Sequence, residues 1–205
     1  MLNLRAKVLC SHQPLIAICA GASPDRLYLN DRCWAEMEVE LAGLPIVLIT
    51  TIQDGGEWNE SAAKNAAAAH AANHGIKSLL FTNGDIVIPK SVVEFAVSFS
   101  PGHPYLLNVL RQDEQPDGSW VLNEQAIGDC QFTSAEVWQK AEGFDERLTG
   151  WGFIDYSFAM RCDAAGAQIY QTAQVTVRHH WHPRLTDDEY RANNARNRDI
   201  ACAGT

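Results

Sequence analysis

Three short apolar runs in the first half of the chain limit most strongly how it can fold. Two of them cover residues 14–20 and 45–50, and the third begins at Leu79 and leads to Asp85. Each has the length of a buried strand rather than of a helix, and a segment with helical spacing separates each run from the next. Such alternation predicts a parallel sheet covered by helices, with right-handed crossovers.

Both intervening helices have recognisable ends in the sequence. Ser23 and Pro24 suit the first turn of a helix, and Gly43 suits its end. Asn59 suits the amino-terminal cap of a second, alanine-rich helix that ends at Gly75. The first half is therefore expected to be a strand–helix repeat.

The second half has a more varied pattern. Ser91 and Glu94 have the spacing of a capping box for a short helix. A turn at 115–118 separates the strand-like segments 105–111 and 120–123, which predicts a hairpin. Further elements are expected as helices at 134–142 and 153–165, strands at 168–172 and 174–178, and a polar helix capped by Thr186.

Composition limits the partners and the compartment. The 205 residues fit one domain, and the net charge of −9 disfavours a nucleic-acid partner, which requires a basic face. The six cysteines lack CxxC spacing, which disfavours a zinc ribbon or a redox pair. We recognise neither a signal peptide nor an apolar run of about 20 residues, the length of a membrane span. We therefore expect a cytoplasmic protein with no transmembrane segment.

Asp85 stands where the third strand leaves the sheet. A carboxylate at the exit of a buried strand is costly unless water, a cation or a ligand meets it. In an open α/β sheet this edge is also where ligands bind. The pair Asn83-Gly84 is equally consistent with a plain turn.

The run Arg178-His179-His180-Trp181-His182 is a second unusual cluster. Three histidines in four positions follow a strand, and His179 and His182 could lie on one side of a turn. Neutral imidazole binds divalent transition metals, and a carboxylate such as Asp85 is a natural companion ligand. The alternative is a solvated histidine-rich loop.

A third cluster is GWGFID at 150–155. Its glycines suggest backbone that closely approaches another group, and Trp151 could stack on a sugar ring. Asp155 lies near the start of the next helix, where the helix dipole favours the charged form. A carboxylate at a cleft edge could act as a general base, and the alternative is an ordinary acid in a first helical turn.

In order and spacing, these clusters resemble the GT-A glycosyltransferases, above all the inverting branch with a galactosyltransferase-like C-terminal half. That branch has a pattern F-x-D-x-D-I-x-x-P, then a block containing GFDE and GWGxED, and then a histidine-bearing strand. The matching segments are FTNGDIVIP (81–89), GDCQF (128–132), GFDE (143–146), GWGFID (150–155) with Arg161 beyond it, and RHHWH (178–182). The resemblance spans about residues 14–183.

The resemblance implies an α/β fold in one domain, a GT-A, Rossmann-like mixed sheet with helices on both faces. This domain would cover residues 1–185, with a nucleotide-sugar-binding half (1–100) and an acceptor-binding, catalytic half (101–185), and residues 186–205 would form a helical tail. The implied reaction moves a hexose from a nucleotide sugar, a UDP-sugar in the first instance, to a hydroxyl of a glycan or other acceptor. The implied cofactor is a divalent metal ion, Mn²⁺ or Mg²⁺.

The resemblance also assigns roles to residues. The general base would be Asp155, and the metal ligands would be Asp85, His179 and His182. The nucleotide sugar would be contacted by Asp54, Lys64, Asn65, Asn83 and Asp85. The remaining substrate contacts would come from Trp151, Gly152, Asp129 and Arg161. Two positions depart from the pattern, because Asn83 replaces the first Asp of the DxD element and Ile154 replaces the Glu before the general base.

Two other functions remain open on the sequence. A metal-dependent hydrolase could be built from His179, His182, Asp54 and Asp85, and it would cleave rather than transfer. A relative without the Glu at the position of Ile154 could bind a sugar nucleotide without catalysis. A sugar-nucleotide pyrophosphorylase is disfavoured, since no glycine-rich phosphate loop follows the first strand.

Overall fold

The computed structural model describes residues 1–124, 128–182 and 186–203, in which nine strands form one mixed sheet. The strands are β1 (Leu2–Val8), β2 (Ile16–Ala22), β3 (Ile46–Gln53), β4 (Ser78–Asn83), β5 (Ile86–Val87), β6 (Tyr105–Glu114), β7 (Trp120–Asn123), β8 (Cys130–Ser134) and β9 (Gln168–His179). The helices are α1 (Leu27–Glu40), α2 (Glu60–Asn73), α3 (Lys90–Ser98), α4 (Ala135–Lys140), α5 (Ile154–Ala164) and α6 (Asp187–Cys202), with a 3₁₀ turn, Pro24–Arg26, before α1. Along the sheet the order is β1-β3-β2-β4-β8-β6-β9-β5, and β7 pairs with β6.

The predicted strand–helix repeat is confirmed, because β2 pairs in parallel with both β3 and β4. Every residue of β2 is buried, as expected for a strand with helices over both faces of the sheet. Ala17 and Cys19 pack into a cluster with α2 and α5, whereas Ile16 and Ile18 pack into a cluster with α1 and α3. This alternation confirms a layered α/β fold with two apolar cores.

Helix α2 begins as the sequence predicted. The side chain of Asn59 accepts a hydrogen bond from the backbone N–H of Ala62 at 2.8 Å, which satisfies an otherwise unpaired donor of the first turn. The buried residues of α2 include Ala63, Ala67, Ala68 and Ala71. Because these side chains are small, the helix lies close to the sheet and presents Lys64 on its buried face.

The turn after β4 carries the chain from the middle of the sheet to its far end. Gly84 and Asp85 separate β4 from β5, and β5 pairs with the end of β9, with Ile86 opposite His179. A Cβ on Gly84 would lie 3.0 Å from the Cβ of Ala22 and 3.1 Å from the backbone oxygen of Gly21. A glycine is therefore needed for the turn to pack against the end of β2.

Three expectations differ from the structure. Strand β1 was not expected, because it pairs on the edge of the sheet with every residue exposed and so lacks a buried apolar run. The prediction of a capping box at Ser91 is wrong, because α3 begins at Lys90 after Pro89. Glu94 pairs with Lys90 at 3.6 Å instead. The two predicted late strands form a single strand, β9. It pairs in parallel with β6 and continues across a shift in register.

The carboxyl-terminal helix is capped as predicted, since Thr186 and Glu189 form a reciprocal capping box. The predicted domain limit at residue 185 lies outside the described residues, and so do residues 204–205 of the predicted tail. No helix in the described part of the chain is both long enough and apolar enough to span a bilayer.

Candidate metal and active site

A cleft opens at the carboxyl ends of β2 and β4. It is lined by Gly21, Ala22, Ser23, Arg26, Trp58, Glu60, Asn83, Gly84, Asp85 and Trp151. Strand β2 lies between β3 and β4, so the chain passes first to one side of β2 and then to the other. Such a switch in strand order leaves a crevice at the carboxyl ends of the strands, where ligands of open α/β sheets bind.

Asp85, His179 and His182 are buried, and one donor atom from each lies within 4.8 Å of the others. The Oδ2 atom of Asp85 is 3.1 Å from Nε2 of His182 and 3.6 Å from Nε2 of His179, and the two ring nitrogens are 3.2 Å apart. The pairing of β5 with β9 causes this convergence, and the backbone N–H of His180 donates to the backbone oxygen of Asp85 at 3.1 Å. The structure thus brings the three predicted ligands together.

The donor set fits a divalent transition metal ion. One carboxylate oxygen and two imidazole nitrogens suit a divalent transition metal ion better than Mg²⁺, which prefers oxygen ligands and bound water. The Oδ1 atom of Asp85 is buried and has no hydrogen-bond partner among the described residues. An unpaired buried carboxylate oxygen requires an explanation, and a bound cation provides one.

The surroundings of Asp85 keep its side chain ionised. The pKa of Asp85 lies well below its usual range: burial acts to raise it, but hydrogen bonds from His179 and His182 and the nearby charge of Arg26 outweigh burial. Burial acts to lower the pKa of His179, but contacts with Asp113 and Asp85 raise it overall. Asp85 is therefore a carboxylate at neutral pH.

Arg26 is a cleft residue that the sequence analysis did not identify. Its Nη1 donates to Oδ2 of Asp85 at 2.9 Å, the same oxygen that faces both imidazoles, and its guanidinium lies 4.1 Å from the centre of a Trp151 ring. A basic residue soon after the exit of a predicted strand was the available signal. The open space beside these side chains is about 10 Å³, so a larger ligand requires Arg26 and Trp151 to move.

Asp155 lies in the first turn of α5, next to the cleft but not in its lining. Its Oδ1 accepts a hydrogen bond from Nζ of Lys64 at 2.8 Å, and the fully buried Lys64 also pairs with Glu60 at 2.6 Å. Burial raises the pKa of Asp155 to about 7, against the lowering effect of Lys64. The pKa of Lys64 is raised in turn, because the two carboxylates outweigh its burial.

Lys64 therefore links the predicted base to Glu60, which lines the cleft. Glu60 was not identified from the sequence. The only available signal was its position four residues before Lys64 on the same helix, a spacing that places two side chains on one face.

Asn83 and Asp129 lie together beside the cleft. The amide of Asn83 donates to Oδ1 of Asp129 at 3.3 Å, and Arg111 binds the other oxygen of Asp129. One residue further back, Gly128 has a φ of +110°, and a Cβ there would lie 2.2 Å from the Cβ of Asp155. The segment before β8 thus packs directly against the predicted general base.

Trp151 and Gly152 belong to a loop that is held from two sides. The N–H of Gly150 donates to the backbone oxygen of Trp58 at 2.7 Å, and the rings of Trp58 and Trp151 lie 6.2 Å apart. On the other side, Asn197 of α6 donates to the oxygen of Gly152 at 2.9 Å. Trp151 faces the cleft, whereas Gly152 faces α6.

Three further predicted site residues are outside the cleft lining and contact other parts of the chain. Asp54 is exposed after β3, where Asn3 contacts its carboxylate. Asn65 and Arg161 donate hydrogen bonds to backbone oxygens of the segment 141–146. Their proposed roles in substrate binding remain predictions.

No protein-family model matches the sequence, and a search of curated proteins finds no match. Among solved structures, the fold is similar to the catalytic domain of Drosophila beta1,4-galactosyltransferase 7 in complex with xylobiose, with a TM-score of 0.60, 16% identity, and coverage of 82% of this chain and 71% of that one. A mutant of the Drosophila enzyme in complex with manganese, UDP-Gal and xylobiose gives a TM-score of 0.55 at 14% identity, covering 84% of this chain and 78% of the other. The chain therefore has a GT-A glycosyltransferase fold.

Proposed function

We propose that this protein is a metal-dependent glycosyltransferase that moves a hexose from a UDP-sugar to a hydroxyl acceptor. One observation carries the proposal: Asp85, His179 and His182 converge beside a cleft at the switch point of a GT-A sheet. Asp85 lies more than 90 positions before the two histidines in the sequence, yet the donor atoms of all three residues lie close enough to share one ion. A buried arrangement of this kind needs a function to explain its cost.

The substrate classes are proposed from a structural neighbour. The Drosophila galactosyltransferase 7 mutant is in complex with manganese, UDP-Gal and xylobiose. For this chain we propose a UDP-hexose donor, Mn²⁺ rather than Mg²⁺, and a saccharide hydroxyl as acceptor. The two imidazole nitrogens support a transition metal ion over Mg²⁺, and the choice of Mn²⁺ follows that neighbour.

The metal ion and the cleft residues would share the binding of the donor. When bound by Asp85, His179 and His182, a divalent cation would offset the charge of the departing diphosphate. Once Arg26 moves away from its ring, Trp151 would offer an aromatic face on which a sugar could stack, and Asn83 stands at the exit of β4 beside Asp85. The proposed contacts of Asp54, Lys64 and Asn65 with the nucleotide would require these side chains to leave their present partners within the chain.

Asp155 would act as the general base. It would take the proton of the acceptor hydroxyl as that oxygen bonds to the anomeric carbon, while the bond from this carbon to the diphosphate oxygen breaks. Attack from the side opposite the diphosphate inverts the configuration at that carbon. Because Lys64 already binds Oδ1, the hydroxyl proton would pass to Oδ2.

The test is a transfer assay with UDP-Gal and UDP-Glc, Mn²⁺, and a panel of xylosides and other saccharide acceptors. We expect a glycosylated product, detected by mass spectrometry, that requires Mn²⁺ and disappears in Asp85→Ala. If no donor gives a product in the presence of Mn²⁺, the proposed activity is wrong for the tested classes.

A binding-only relative is the second candidate, and one observation favours it. The carboxylate of Asp155 is already bound by the buried ammonium of Lys64, and Ile154 replaces the neighbouring acid of the family pattern. Such a protein would bind UDP in a Mn²⁺-dependent manner and give no product. A hydrolase would instead release free hexose without acceptor, although the exposed Asp54 lies away from the cleft lining.

A further inference from the structure

We infer that Asp113 is a positioning residue for the proposed metal site, because its carboxylate fixes the orientation and the protonated nitrogen of His179. The inference rests on the proposed function only in taking a metal ion to bind at this site. The orientation of His179 is a property of the metal-free chain. Asp113 was not among the residues identified from the sequence.

The geometry is direct. Oδ1 of Asp113 lies 2.9 Å from Nδ1 of His179, and both side chains are buried. The two residues are register partners in the parallel pair β6–β9, so the strand pairing itself places them side by side. The opposite ring nitrogen, Nε2, faces Asp85 and His182.

Asp113 is itself held in place. Asn123 donates to its Oδ2 at 2.8 Å, and Nε of Arg111 lies 2.9 Å from its Oδ1. An aspartate that pairs with an arginine and accepts from an amide in this way is a charged carboxylate, which can only accept a hydrogen bond from His179.

A hydrogen-bond acceptor at Nδ1 determines which nitrogen of the ring is free. The proton must lie on Nδ1, and the lone pair of the neutral imidazole is then on Nε2, the atom that points to the other two ligands. The negative charge behind the ring also makes Nε2 a stronger donor to a metal ion. Loss of such an outer partner lowers metal affinity by about 10- to 100-fold.

The chain contains a matched control one residue further along, where Glu114 ends β6 and His180 follows β9. Nδ1 of His180 lies 3.0 Å from Oε2 of Glu114, which repeats the imidazole–carboxylate contact. Nε2 of His180, however, lies 3.0 Å from Glu36 and is not part of the three-residue donor set. Glu114→Gln therefore removes the carboxylate charge from a similar, half-buried imidazole contact whose histidine is outside the donor set, and its amide oxygen can still accept from the backbone N–H of Trp181.

The experiment compares Asp113→Asn with Glu114→Gln in the full chain. Calorimetric titration with Mn²⁺ should show about 10- to 100-fold weaker binding for Asp113→Asn and no more than about a threefold change for Glu114→Gln. Thermal unfolding without metal reports whether each variant keeps its fold. An equal loss of Mn²⁺ affinity in both variants, or wild-type Mn²⁺ affinity in a folded Asp113→Asn variant, would overturn the inference.

A second measurement needs no variant and no metal. The ¹⁵N chemical shifts of His179 in the metal-free wild type, recorded where the ring is neutral, should show the proton on Nδ1. A proton on Nε2 would contradict the inference even if Mn²⁺ binds. Conversely, a wild type that shows the proton on Nδ1 but binds no Mn²⁺ would remove the proposed function and keep the role of Asp113 in orienting His179.

Discussion

At the residue scale, the environment of Asp155 makes a prediction about pH. Burial raises the pKa of this carboxyl to about 7, so the protonated form, which cannot accept a proton, persists almost to neutral pH. We expect kcat/KM for transfer to rise as pH increases through about 7, rather than near 4 as for an ordinary carboxyl.

The control for this prediction is Asp155→Asn. It should keep Mn²⁺-dependent UDP binding but lower turnover by about 100-fold or more, the usual contribution of a general base. Turnover close to that of the wild type would exclude Asp155 as the base.

Arg26 makes the second prediction at this scale. Its guanidinium binds the same oxygen of Asp85 that would bind the ion, so a metal must bind against a nearby positive charge. We expect Arg26→Ala to bind Mn²⁺ about tenfold more tightly, a change of about 1.4 kcal/mol, when the ion is titrated alone. Arg32→Ala is the matched control, because Arg32 pairs with Glu36 and Glu114 outside the cleft. Weaker or unchanged binding in Arg26→Ala would mean that this arginine does not oppose the ion.

At the element scale, the segment before β8 can be tested through a glycine. A Cβ on Gly128 would collide with Asp155, and its φ of +110° is one that other residues rarely adopt. We expect Gly128→Ala to lower the free energy of unfolding by at least about 2 kcal/mol, from overpacking and backbone strain together. Chemical denaturation measures the change.

Gly43→Ala separates the two causes. Gly43 also has a positive φ, +81°, but no atom lies within 4 Å of the position of its Cβ. Its replacement should therefore cost only the backbone strain, about 1 to 2 kcal/mol. Equal decreases in the free energy of unfolding for Gly128→Ala and Gly43→Ala would show that the contact with Asp155 does not contribute.

The elements that could be predicted from the sequence are those with a strong local signal. The buried runs that became β2, β3 and β4 were recognisable from apolar patterning, and Asn59 and Thr186 from capping chemistry. Strand β1 was missed because an exposed edge strand has no apolar run. The Ser91 capping box failed because Pro89 already sets the start of α3.

The site was only partly predictable for a related reason. Asp85 and the two histidines could be identified from residue type, but their convergence depends on the pairing of the two-residue strand β5 with the end of β9. Arg26 and Asp113 were not identified because their roles come from contacts across strands. The Asp113–His179 pair follows from the register of β6 with β9, which no local pattern encodes.

At the scale of the whole molecule, ligand binding should raise the thermal stability of the protein. A ligand that binds only the native state stabilises it by about 2.7 kcal/mol at a concentration of 100 Kd, which for a chain of this size is about 5 to 10 °C in Tm. We expect Mn²⁺ with UDP to raise Tm by this amount, and UDP with a chelator to have no effect. A similar shift in Asp85→Ala would place the binding elsewhere.

The central claim is that one divalent ion binds between β4 and β9 at the switch point of the sheet. The most direct test is an anomalous-difference map from crystals of the wild type grown with Mn²⁺ and UDP. We expect a single strong peak in contact with Asp85, His179 and His182, with Arg26 displaced from Asp85. A peak at another position, or none between these three side chains at saturating Mn²⁺, would contradict it.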